Sequence, residues 1–313
     1  MAAPIRIGTC SWADEALTKH WYPKEVKSAE ARLRYYAERF STVEVDSTYY
    51  RLPDESMVSR WVERTPEGFV MHVKAYGLMT RHPMKAEQLP PDLRETAPVD
   101  DRGRVDRPPR EFRGEVFRRF HTALEPLRET GKLGGILLQF PPYVVAKERS
   151  VDYLRWALEQ LDGDRALVEF RHRSWLDEEN RASTLTLLEE LGASNVVVDA
   201  PKTEAKNLVP TVVAATSPLA YVRFHGRNAK TWNVRGGSAS DRFDYLYSED
   251  ELREWAGPLG TLAEGAEEVY VLFNNNRWSR TSRGELSAQA PANAVALAGI
   301  LADAGVPTAS PSG

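Results

Sequence analysis

Acidic, basic and imidazole side chains recur in this sequence where short apolar strands would end. In Val168-Glu169-Phe170-Arg171-His172-Arg173-Ser174-Trp175 a short strand runs into a polar, aromatic loop. Alternation along a strand puts Val168 and Phe170 on one face and Glu169 and Arg171 on the other. A buried strand face does not hold a carboxylate and a guanidinium unless they pair or serve a site. The pattern returns with Glu44 and Asp46 between Val43 and Val45, and with His72 and Lys74 beside Met71 and Val73. Gln139 stands between Leu138 and Phe140, Arg223 and His225 beside Val222 and Phe224, and Asn274 beyond Val271 and Phe273. Asp199 closes a strand whose Val196 and Val198 read as the apolar, helix-covered face, which assigns Asp199 to the polar face.

Such a set can do two things. Arginine forks and lysine hold oxyanions, and a carboxylate or imidazole among fixed charges can acquire a working pKa for proton transfer. The catalytic candidates are Glu169, Asp199, His225 and Glu44. The substrate-binding candidates are Trp12, Asp46, Tyr50, Lys74, Gln139, Arg171, Trp175, Arg223, Arg227 and Asn274. Trp12, Tyr49, Tyr50, Phe140, Trp175 and Trp232 suit stacking on a sugar or base, or simply cap a core. The expected function is an enzyme acting on a phosphorylated or other anionic small molecule by carboxylate or histidine acid–base chemistry, of hydrolase or isomerase/lyase type. No cofactor is required by this reading. One alternative is a hydrolase or isomerase in which Glu44, Glu169, Asp199 and His225 hold a divalent metal. Against it, Lys74, Arg171 and Arg223 share that space and no His-Glu-x-x-His pattern occurs. The other is a non-catalytic binder of a nucleotide or nucleic-acid end. The competing structural reading is an ion-pair layer inside a core, with His72 a core histidine and Cys10 an inert buried thiol.

The elements that position these residues alternate strand with helix about eight times, with strands near 5–9, 42–48, 68–75, 134–140, 165–171, 194–199, 219–225 and 268–274. Helices fall near 28–40, 55–64, 111–131, 149–161, 176–191, 249–264 and 288–303, with Pro126 interrupting the third and Ser28 an N-cap for the first. Helical crossovers make the strands parallel, and eight units close into a TIM-like (β/α)8 barrel, with active sites at the C-terminal strand ends. The chain reads as one barrel domain over 1–306 with a disordered tail, 307–313. An Arg/Pro-rich insertion, about 77–110, is either a solvated surface excursion or an anion-binding lid built on Arg102, Arg104, Arg107, Arg110 and Arg113. The 200–218 crossover shows no helix pattern.

A formal charge of −4 gives no global attraction to nucleic acid or anionic membrane, so nucleic acid is not the favoured partner. The single cysteine fits a reducing, cytoplasmic setting, and neither a signal peptide nor a membrane-length apolar run is visible. The motifs Gly8-Thr9-Cys10-Ser11-Trp12, Thr42-Val43-Glu44-Val45-Asp46-Ser47-Thr48-Tyr49-Tyr50, Leu138-Gln139-Phe140-Pro141-Pro142, Glu169-Phe170-Arg171-His172 with Ser174-Trp175, Tyr221-Val222-Arg223-Phe224-His225-Gly226-Arg227 and Phe273-Asn274-Asn275 together resemble the family called domain of unknown function 72, the YecE-like proteins. The resemblance spans nearly the whole chain. It implies a TIM-like barrel and no established activity. Two departures, the enlarged insertion and the longer basic segment from Asn276-Arg277-Trp278 onward, rim the expected pocket.

Overall fold

The computed structural model describes residues 2–232, 242–281 and 284–311. Strand β1 (Ile5–Thr9) leads through a short helix, α1 (Glu15–His20), to α2 (Ala29–Ala37). The Ser28 hydroxyl accepts from the Ala31 amide and so starts α2, as a serine before an apolar-periodic run should. Strand β2 (Thr42–Val45) is followed by α3 (Glu55–Glu63), capped in the same way by Asp54, and by β3 (Val70–Lys74). The insertion is folded: a two-stranded antiparallel ribbon, β4 (Met84–Lys85) with β5 (Arg104–Val105), brackets α4 (Pro91–Thr96). Leu89, Leu93 and Val105 anchor it to the core, which a freely solvated loop would not do.

Pro126 divides the next helix into α5 (Arg110–Ala123) and α6 (Glu125–Glu129), because its ring blocks the preceding carbonyl. There follow β6 (Leu133–Gln139), α7 (Glu148–Glu159), β7 (Ala166–Glu169), α8 (Arg181–Glu190), β8 (Ser194–Asp199) and β9 (Leu219–Phe224). The β8-to-β9 crossover carries no helix. Helices α9 (Glu249–Arg253) and α10 (Ala256–Gly265) precede β10 (Glu268–Phe273), a ribbon β11 (Trp278–Arg280) with β12 (Leu286–Ala288), and α11 (Gln289–Asp303).

Eight parallel strands pair in the order β1-β10-β9-β8-β7-β6-β3-β2 and form a nearly closed TIM-like barrel. The seam lies between β1 and β2, where the Tyr36 hydroxyl accepts from the Thr9 amide at 2.9 Å and donates to the Thr42 carbonyl at 3.1 Å. The strands touch so closely that a Cβ on Gly8 would sit 2.3 Å from the Thr42 oxygen. Val43, Val45, Met71, Val73, Val168, Val222 and Phe224 pack outward under the helices, as alternation predicts. A smaller apolar cluster fills the lumen, with Leu137, Leu167, Val196, Val198, Tyr221 and Leu272.

One strand is reversed relative to expectation. Val196 and Val198 are in register with Tyr221 and Arg223 and face the lumen, so Asp199 faces the helices. Alternation separates two faces but does not say which is inside, and β8 is apolar on both. In the 307–313 segment, Ile5 donates to the Pro307 carbonyl and accepts from the Ala309 amide, so this part is paired with β1 rather than loose. Residues 312–313 lie outside the described set. Among the described residues no helix is long and apolar enough to cross a membrane.

Candidate active site

The C-terminal strand ends carry two stacked layers. The lower one is a sealed ion lattice around Arg223. Its Nε and Nη2 donate to Glu44 at 2.9 and 2.7 Å, and its Nη1 donates to Glu169. Tyr221 also donates to Glu44, at 3.0 Å. Glu169 further accepts from Gln139 at 2.8 Å, His225 at 3.0 Å and Arg171 at 3.2 Å. Asn274 donates to His225 Nδ1 at 2.9 Å, which leaves the proton on Nε2, facing Glu169.

Burial alone would raise the Glu169 pKa, but Arg223 and His225 overcome it and hold the carboxyl well below its usual range. Burial likewise works against a charged Arg223, yet Glu44 and Glu169 keep it protonated. His225 is pushed down to about 4 by burial and is neutral. Glu169 accepts three of these donors on Oε1 and one on Oε2, which ties the charged carboxylate into the lattice. Cys10 lies 3.6 Å from Arg223, and burial, then Glu44, pushes its thiol upward.

Above this lattice opens a cavity of about 570 Å³, within the range of small-molecule sites. Asp46, Tyr50, Lys74, Gln139, Arg171 and Asn274 line it, as the sequence leads one to expect. Asp46 follows Val45, which pairs with Val73, so Asp46 stands next to Lys74 on adjacent strand ends. Burial, only partly offset by Lys74, raises Asp46 to about 7. Lys74 is pushed down by burial and then by Arg223; its ammonium lies 4.8 Å over the Tyr49 ring and makes no hydrogen bond or ion pair among the described residues. Arg171 lies 4.9 Å over Trp232, and its guanidinium makes one hydrogen bond among the described residues, to Glu169.

Four expected residues stand elsewhere. Asp199 is bound on the outer side by Arg227 at 2.8 Å, Tyr247 at 2.7 Å and Trp255 at 3.0 Å. Arg227 is consumed there, with Glu254 at 2.9 Å as its second partner. Trp175 is buried on the outer face, stacked on Phe170 at 4.1 Å with its indole donating to the Val144 carbonyl. Trp12 packs edge-on against Trp61. Conversely, the wall includes Asp14, His82, Tyr143 and Arg242, which no strand pattern singled out because they come from loops. Burial raises Asp14 to about 6 and lowers His82 to about 3. Trp278, in the basic segment after Asn275, also reaches the cavity.

The proposed metal ligands are divided between two faces, with Asp199 apart from Glu44, Glu169 and His225. No group of three or more His, Cys, Asp or Glu among the described residues is placed to hold a metal ion.

Comparison with known proteins agrees with the architecture. The family model described as "Protein of unknown function DUF72" matches residues 6–312. The UPF0759 protein YunF of Bacillus subtilis (strain 168) is 33% identical over 276 residues, covering 87% of this chain and 89% of the relative. A solved DUF72 family protein from Enterococcus faecalis V583 is 27% identical with a TM-score of 0.74, over 95% of both chains. One from Thermotoga maritima MSB8 is 30% identical with a TM-score of 0.72, over 96% of this chain and 99% of that one.

Proposed function

The chain belongs to the DUF72 family, which is defined without an activity, and from the chemistry of the pocket we propose an enzyme that transfers protons on a small anionic substrate. Lys74 and Arg171 hold its phosphoryl or carboxyl group, and Asp46 is the acid–base residue. The observation that carries this is the placement of Asp46, poised at about 7, beside a lysine that has no ion-pair partner among the described residues. A carboxyl titrating there is populated in both forms near neutrality and can donate or accept a proton. An unpaired ammonium in a concave site is costly unless a ligand completes it.

The sealed lattice is the platform. Because Glu44, Glu169 and Arg223 satisfy one another's hydrogen bonds, they fix Gln139, Arg171 and His225 in place. Tyr49, Tyr50 and Trp232 offer ring faces for a sugar or other flat moiety. The chemistry so supported is hydrolysis, isomerisation or elimination assisted by one acid–base group, in keeping with the hydrolase or isomerase/lyase expectation.

The test is a panel of phosphorylated and carboxylated sugars and nucleosides, screened by thermal shift and then by turnover, against wild type, Lys74→Gln and Asp46→Asn. Lys74→Gln is expected to abolish ligand-induced stabilisation. Asp46→Asn is expected to keep binding and lose turnover. A ligand that is turned over equally well by Asp46→Asn would sink the assignment.

A further inference from the structure

Beside the main cavity, across Tyr143, lies a smaller one of about 60 Å³ lined by Arg81, Arg107, Tyr143, Lys147, Arg149 and Ser150. Tyr143 borders both cavities, and its hydroxyl donates to the Arg81 carbonyl at 2.7 Å. His82, the next residue after Arg81, lines the main one. We propose that this side cavity is an oxyanion subsite, which receives a second phosphoryl or carboxyl group of the ligand bound in the main pocket.

Four cationic side chains converge there against little counter-charge. Arg107 has Asp106 at 3.7 Å. Arg81, Lys147 and Arg149 make no ion pair among the described residues. The guanidinium of Arg81 is held below its usual range, first by burial and then by Arg113, Arg107 and Arg149. Crowded like charges destabilise a fold unless an anion joins them. Arg113 adds to the set: it lies 4.8 Å over the Tyr153 ring, with Arg81 5.1 Å over the same ring, and its Nε is buried without a hydrogen-bond partner.

The second line of observation is polar rather than charged. Ser150 is only 3% exposed and lines this cavity, yet its hydroxyl has no hydrogen-bond partner among the described residues. It sits in the first turn of α7, a helix of 12 residues whose N-terminus no side chain caps. The Ser150 and Val151 amides bond to the Lys147 carbonyl, whereas the Glu148 and Arg149 amides have no partner among the described residues, and Lys147, Arg149 and Ser150 of this positive helix end line the cavity. A tetrahedral oxyanion would satisfy the serine hydroxyl, the uncapped turn and the arginines at once. The space is several times what one water requires.

The substrate inference rests on the main pocket being a substrate site, whereas the subsite itself can be tested alone. The full chain would be titrated calorimetrically with inorganic phosphate at constant ionic strength. Wild type would be compared with Lys147→Gln/Arg149→Gln, with Ser150→Ala and with Lys74→Gln. Lys147 and Arg149 are exposed, so the double variant should retain its melting temperature. Loss of charge-assisted contacts should weaken phosphate roughly tenfold or more in the double variant, and Lys74→Gln should leave a phosphate site intact. Phosphate binding that is absent in wild type, or unchanged in the double variant, overturns the subsite. A sugar bisphosphate should then bind wild type at least roughly tenfold tighter than the monophosphate of the same skeleton, and the double variant should erase that advantage. If the advantage is missing while phosphate still binds, the two-group substrate is refuted and the subsite stands. If Lys74→Gln affects neither sugar ligand, the main-pocket reading fails instead.

Discussion

Replacing Asp46 by asparagine makes the central electrostatic argument measurable without knowing the substrate. In the folded protein the carboxyl titrates at about 7, against 3.8 when free. Between those values the folded state binds a proton that the unfolded chain has released. Stability from this group is therefore complete below about 3.8 and is lost as pH rises through about 7. Each pH unit in that window costs about 1.4 kcal/mol. From pH 5 to pH 8 the loss spans roughly two units, or about 2.7 kcal/mol. Asparagine keeps the shape and cannot ionise, so the variant lacks that slope. Whatever asparagine itself costs cancels when one pH is compared with the other. Asp14, raised to about 6, titrates in both proteins and largely cancels too. Urea unfolding at pH 5 and pH 8 should show Asp46→Asn gaining on wild type by roughly 2–3 kcal/mol. Parallel stability curves for the two proteins would refute the raised pKa and, with it, the acid–base role.

Arg223→Met leaves Glu44 and Glu169 facing each other in a buried layer. It should destabilise the fold by about 3–5 kcal/mol, readable as a lowered denaturation midpoint, whereas the double change with Glu169→Gln should recover part of that loss. Asp199→Asn breaks the paired contact to Arg227 and should cost about 1–3 kcal/mol. It should leave ligand affinity in the main cavity unchanged in calorimetry, because Asp199 faces the helices. Gly8→Ala forces a methyl group against the Thr42 carbonyl and should destabilise by about 1–3 kcal/mol. Amide exchange in that variant should accelerate first in β1 and β2.

The alternation of charged and apolar residues made the inner layer legible. Glu44, Glu169, Arg223 and His225 meet because a period of two, applied to parallel strands of known order, leaves them nowhere else to go. The same rule failed at β8, where valines occupy both faces and only Asp199 broke the symmetry. Its partners Tyr247 and Trp255 come from beyond β9, too far along the chain for a local pattern to reveal. Trp175 misled for a similar reason: an aromatic after a strand reads alike whether it reaches the ligand or folds back on Phe170. Asp14, His82 and Tyr143 stand on loops, where no period links residue number to direction. The division of labour within the polar set was also hidden. Which carboxylate titrates near neutrality depends on how many donors each accepts, and that is a property of the packed site.

The seam at Tyr36 bears on how the barrel is made. The ladder partner of β1 is β10, and Ile5 pairs with Val269 on one side and is bridged to Thr308 on the other. The ladder neighbours of β1 thus lie more than 250 residues further along the chain. Until β10 has emerged, β1 is held only by local contacts such as the Tyr36 hydroxyl from α2, with Gly8 close against β2. Closure through such distant pairings is intrinsically slow and leaves a strand edge open meanwhile. With its hydroxyl bonded to both Thr9 and Thr42, Tyr36 can join β1 to β2 without β10, so it spans the edge that the distant pairing leaves open.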